Sequence, residues 1–113
     1  MTPFEQYQAE VRSAPLDVDA LDALARAAMA EGEEERALEL VEPAARQIQT
    51  ALMWRWVGVL QRSLGRHVQA FASFIEAERK DWSDVSIAHS LAQVAHEAGW
   101  DAVRYFERAI GLG

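Results

Sequence analysis

The chain has 113 residues, half of them hydrophobic and 26% charged, with no cysteine and a formal net charge of −7. This is one domain of ordinary globular composition, too apolar for disorder and unable to form a disulfide framework or a thiolate metal site. Positions 1–42 carry eleven acidic and three basic side chains, positions 43–113 seven and eight, and no basic stripe offers itself to nucleic acid or an anionic membrane. No apolar run reaches the roughly 18 residues of a membrane helix. The start, Met1-Thr2-Pro3-Phe4-Glu5, lacks the basic and apolar stretches of a secretory signal. Together these features fit a cytoplasmic protein.

Apolar spacing is helical throughout, without strand-like alternation. Thr2 to Glu5 forms a capping box with proline at the first helical position. It opens a helix that should end near Ser13, ahead of Pro15. A second helix is predicted over 18–31, with Leu21, Leu24, Ala25 and Ala28 on one stripe and Gly32 as its stop. Its partner starts at Glu33, carries Ala37, Leu38 and Val41, and meets Pro43. A proline inside a helix costs about 3 kcal/mol, so this helix is expected to end early or kink, leaving 44–49 without an assignment. Thr50 can cap a helix over 51–64, closed by Gly65 and followed by a partner over 67–79. Ser83 or Asp84 caps the next, over 85–98, which Gly99 closes, and a last helix is predicted over 101–110. About seven helices with short turns result.

Gly32, Gly65 and Gly99 recur at intervals of 33 and 34, and Ala37, Ala70 and Ala102 at 33 and 32. Val41, Phe74 and Phe106 keep the same step. Each position answers a need of a helical hairpin. Glycine ends the first helix in a left-handed turn, the small alanine allows close approach, and the bulky residue fills the space beside it. Trp54, Val57, Gly58 and Gln61, followed by Ala70, Phe74 and Ala77, fall at the spacings W-x2-L-G-x2-Y and A-x3-F. On these residues the chain resembles the tetratricopeptide repeat family. Gln61 stands where that pattern has tyrosine, and the first and third units match less closely than the second.

The resemblance implies an all-α, right-handed solenoid of stacked hairpins: a half-repeat or capping helix at 1–14, then repeats at 18–50, 51–84 and 85–113. It also implies a concave groove, lined by the first helix of each hairpin, that holds an extended peptide. Carried over by repeat frame, groove positions are Asp19, Asp22, Arg26 and Met29, then Arg55, Trp56, Val59 and Arg62, then His89, Gln93 and His96. Arg55 and Arg62, like His89 and His96, are seven apart and share a helix face. The expected ligand is an acidic or C-terminal peptide segment, its carboxylates taken by arginine. Trp54 is placed in the core, Trp56 toward the groove or a neighbouring helix, and Trp82 and Trp100 as lids at turns. Glu31 to Glu35 reads as solvated helix caps.

No catalytic residue, cofactor or metal site is expected. His89 and His96 are too far apart on the helix axis to chelate, and no phosphate loop, nucleophile elbow or zinc motif is present. Val103, Phe106 and Ile110 lack a following helix to cover them. Hence two alternatives to a peptide scaffold: the N-terminal repeat segment of a larger, bacterial enzyme, or a module that self-associates through this end.

Overall fold

The computed structural model describes residues 1–100. Six α-helices follow one another: α1 (Pro3–Ser13), α2 (Val18–Glu31), α3 (Glu34–Ile48), α4 (Ala51–Ser63), α5 (His67–Lys80) and α6 (Val85–Glu97). There is no strand among the described residues. Main contacts run between consecutive helices, with α2 also touching α4. That is the pattern of a linear stack, in which each hairpin leans on its neighbours. The seventh helix, with Val103, Phe106 and Ile110, lies outside the described residues.

Local chemistry explains most helix ends. Thr2 Oγ1 accepts from the Glu5 N–H at 3.2 Å while Glu5 Oε1 accepts from the Thr2 N–H at 3.2 Å, completing the predicted capping box. Gly32 closes α2 with φ of 73°, a conformation that any side chain would strain. Thr50 caps α4 by accepting from the Met53 N–H. Of the two candidates for α6, Asp84 is the cap, accepting from the Ser86 N–H at 2.8 Å. Ser83 instead donates its hydroxyl to Asp81.

Pro43 does not end α3, which runs on to Ile48. The reason lies in which way the proline faces. Pro43 and Glu39, four residues before it, are both exposed, so the carbonyl deprived of its helical partner opens on water rather than on the core. Beyond it, Ala44 and Ala45 are buried and draw the last turn inward. The helix then stops at Gln49, the only described non-glycine residue with positive φ, 58°. Its side chain does two jobs there. Nε2 donates to the Arg46 carbonyl at 2.7 Å, and Oε1 accepts from Trp54 Nε1 at 3.1 Å.

Two apolar clusters form the core. One joins α1 to α4 around Phe4, Val11, Leu21, Leu24, Val41 and Met53. The other joins α5 to α6 around Phe74, Ala77, Ile87 and Leu91. Half-buried Trp54 packs against both and so ties successive hairpins together. Within the hairpin α4–α5, the Phe74 ring lies so close to Gly58 that a Cβ there would meet ring carbons at 2.8–2.9 Å. A close approach of the two helices is therefore made at Gly58. Gln61, the departure from tyrosine, is buried and accepts from the Ser73 hydroxyl at 2.6 Å.

The acidic stretch at the α2–α3 turn is more than a solvated cap. Glu31 Oε2 accepts from the Phe4 N–H at 2.9 Å, satisfying one of the free donors at the start of α1. Glu34 accepts from Ser63, and Glu35 pairs with Arg66. Arg36 lies over the Phe4 ring at 5.0 Å and donates to Gln8 at 3.1 Å, fastening α1 to the following hairpin. Trp82, expected as a lid, is 69% exposed and joins neither apolar cluster among the described residues. Trp100 does pack, edge-on to Phe71 at 5.4 Å.

Candidate functional site

Helix α4 presents two opposite sides. At about 100° per residue, Trp54 and Gln61 point one way, and Arg55, Trp56 and Val59 the other. On the second side a depression of about 310 Å³ is lined by Arg26 from α2, by Arg55, Trp56 and Val59, and by Ser86 and Ser90 from α6. Four of the predicted groove residues thus meet. They belong to the first helices of successive hairpins, as the repeat frame requires.

The polar groups of this depression are held in order. Trp56 Nε1 donates to Asp22 Oδ1 at 2.6 Å, and Arg26 Nε donates to Asp22 Oδ2 at 3.0 Å. The Arg26 guanidinium also lies 5.5 Å from the Trp56 ring centre, closing a triangle of three side chains. Trp56 therefore both packs on the neighbouring helix and lines the depression. Arg55 Nη1 donates to Ser86 Oγ at 3.2 Å and lies 3.9 Å from Asp84 Oδ2. Asp84 in turn accepts from the Ser86 hydroxyl at 2.6 Å. That hydroxyl, the Ser86 N–H and the Arg55 charge hold the Asp84 carboxyl below the ordinary aspartate range.

The remaining predicted positions lie elsewhere. Arg62 is drawn to Glu97 at 2.5 Å. Met29, His89, Gln93 and His96 are exposed and do not line the depression, and Asp19 is exposed at the start of α2. On α6 it is Ser86 and Ser90 that face Arg55. Each is three residues before a predicted groove position (His89, Gln93), or about 60° round the helix at 100° per residue. A clue in the sequence was the Asp84-Val85-Ser86 cap, which fixes where α6 begins and hence which side of it meets α4.

The chemistry available is recognition. Arg55 makes both of its polar contacts through one terminal nitrogen, leaving Nε and Nη2 to take an acceptor. Trp56 and Val59 supply an apolar wall beside it. No group of three or more His, Cys, Asp or Glu residues able to hold a metal occurs among the described residues. No helix among them is long and apolar enough to cross a membrane.

No family model matches this chain, and no curated protein does. Solved structures of MamA do match. A crystal structure of MamA superposes with a TM-score of 0.83 at 17% identity, over 96% of this chain and 66% of that one. MamA MSR-1 gives 0.81 at 20% identity, over 96% and 64%. Another MamA crystal structure gives 0.83 at 19% identity, over 96% and 61%. This chain thus spans just under two thirds of the length of these three MamA chains. At such identities the likeness is one of fold, and it agrees with the contacts above: an all-α solenoid of stacked helical hairpins.

Proposed function

We propose that this chain is a tetratricopeptide-type scaffold that holds an extended acidic or C-terminal peptide segment along α2, α4 and α6. Hairpins α2–α3 and α4–α5 are its first two repeats, 18–50 and 51–84, with a third over 85–113. The observation that carries the reading is the convergence of Arg26, Arg55, Trp56 and Val59 from two successive hairpins on one depression with Ser86 and Ser90. Arg55 takes the peptide carboxylate through its unused nitrogens. Trp56, steadied by Asp22, and Val59 take an apolar side chain next to it. The volume of about 310 Å³ suits one or two side chains. The peptide's flanks run along exposed Met29 and along His89, Gln93 and His96, with Arg62 at the rim.

Display selection from a random peptide library with free C-termini tests this. Acidic or carboxylate-terminated sequences should emerge and lose about tenfold in affinity to the double variant Arg55→Ala, Arg62→Ala. Selected peptides that bind the double variant as tightly as the parent would refute the groove.

A further inference from the structure

A larger depression, of about 540 Å³, opens on the other side of α4, between the second helices α3 and α5. Four glutamates line it, among them Glu39 and Glu42, against only two arginines. Glu35 and Glu42 are paired with those arginines, and Glu76 with Arg79 outside the lining. Glu39 is exposed and has no ion-pair partner among the described residues. The inner wall is different in kind. Half-buried Trp54 offers part of its indole, and Gln61, only 6% exposed, sits beneath. The Gln61 carbonyl is engaged by Ser73, but its Nε2 makes no hydrogen bond. That nitrogen is not sealed from solvent, so it is a donor open to an acceptor that enters the depression.

We propose that this depression docks an extended basic segment of a partner protein, one that carries arginine or lysine. The excess of carboxylate draws the cation. The indole of Trp54 gives it an aromatic surface to lie against. The Gln61 amide takes a main-chain carbonyl of the segment. A polyamine matches the charge but brings no acceptor for that amide, so a peptide fits all three features where a small cation fits two. The site lies on the side of α4 away from Arg55, so it stands or falls apart from the carboxylate groove.

The test uses an acetylated, amidated hexapeptide of alternating alanine and arginine, titrated calorimetrically into the full chain. Blocked ends remove any free carboxylate, so the peptide does not report on the other face. Binding should weaken about tenfold in Glu39→Lys, since an exposed charge pair contributes modestly and reversal both removes an attraction and adds a repulsion. It should also weaken when citrulline replaces arginine, and should be unchanged in Arg55→Ala. Gln61→Leu should weaken the peptide and leave spermine binding as it was. Absence of peptide binding to the parent chain overturns the proposal, as does binding indifferent to Glu39→Lys. Spermine binding as tight as the peptide, with the same response to both substitutions, overturns it in favour of a polyamine site. Because Glu39 is exposed and unpaired, its replacement leaves the fold intact even where Gln61→Leu does not.

Discussion

Gly58→Ala sets two effects of known sign against each other. In a helix interior alanine is better than glycine by about 1 kcal/mol. Here, however, the added methyl would stand 2.8 Å from Phe74 Cε1 and 2.9 Å from Cδ1 and Cζ. Carbon atoms settle near 3.5–4.0 Å, so three contacts would each be short by about 0.6 Å or more. Phe74 is fully buried and packs against α6 on its other side, so the ring has no open space to swing into. Overpacking of a tight core costs about 1–3 kcal/mol. The net expectation is a loss of about 1 kcal/mol, or roughly 5 °C in Tm for a domain of this size. Thermal denaturation followed by far-UV circular dichroism reads it directly. The same substitution made in a Phe74→Leu background, where the ring edge is gone, should reverse sign and stabilise by up to about 1 kcal/mol. A rise in Tm for Gly58→Ala with Phe74 intact would refute the reasoning.

Pro43→Ala should stabilise by about 2 kcal/mol, the helical penalty of proline less the restraint it places on the unfolded chain; an unchanged denaturation midpoint would show that α3 already accommodates the ring. Asp22→Ala, which strips Trp56 Nε1 of its acceptor, should cost about 1–2 kcal/mol. Arg26→Ala, which removes an exposed ion pair, should cost under about 1 kcal/mol, and equal losses from the two would move the energy from the indole bond to the charge pair. The Asp84 carboxyl is held below its ordinary range, so its contribution is complete above that range and is lost as pH falls through the lowered value. The stability gap between the parent and Asp84→Asn, whose amide can still cap α6, should therefore be constant near neutrality and close as pH falls below the ordinary aspartate range. A gap that persists there contradicts the assignment.

Features that act over three or four residues were legible in the sequence. Thr2 with Glu5, Gly32 after α2 and Thr50 before α4 each announce a helix end through a local bond, and the structure makes those bonds. Pro43 misled because the cost of a proline depends on which side of the helix it occupies, and that is known only once Ala44 and Ala45 are seen to be buried. The same limit applied to Glu31 and Glu35. Their partners, Phe4 and Arg66, are 27 and 31 residues away, and no periodicity announces them. The lining of the depression on α4 was legible where the repeat pattern is strong, at Arg55, Trp56 and Val59. On α6 a rotation of about 60° was enough to exchange His89 and Gln93 for Ser86 and Ser90.

The polar links between hairpins carry a lesson for anyone who would rearrange them. Trp56 reaches Asp22, Arg66 reaches Glu35, Arg55 reaches Ser86 and Arg62 reaches Glu97. An arginine–glutamate pair serves both joins, but at different places, and the Trp56–Asp22 and Arg55–Ser86 bonds each occur at one join alone. Duplicating, deleting or transplanting one unit would bring mismatched edges face to face, and the new neighbour would have to evolve a seam afresh. The hairpins look alike in outline, yet they are keyed, and their order is part of what the sequence encodes.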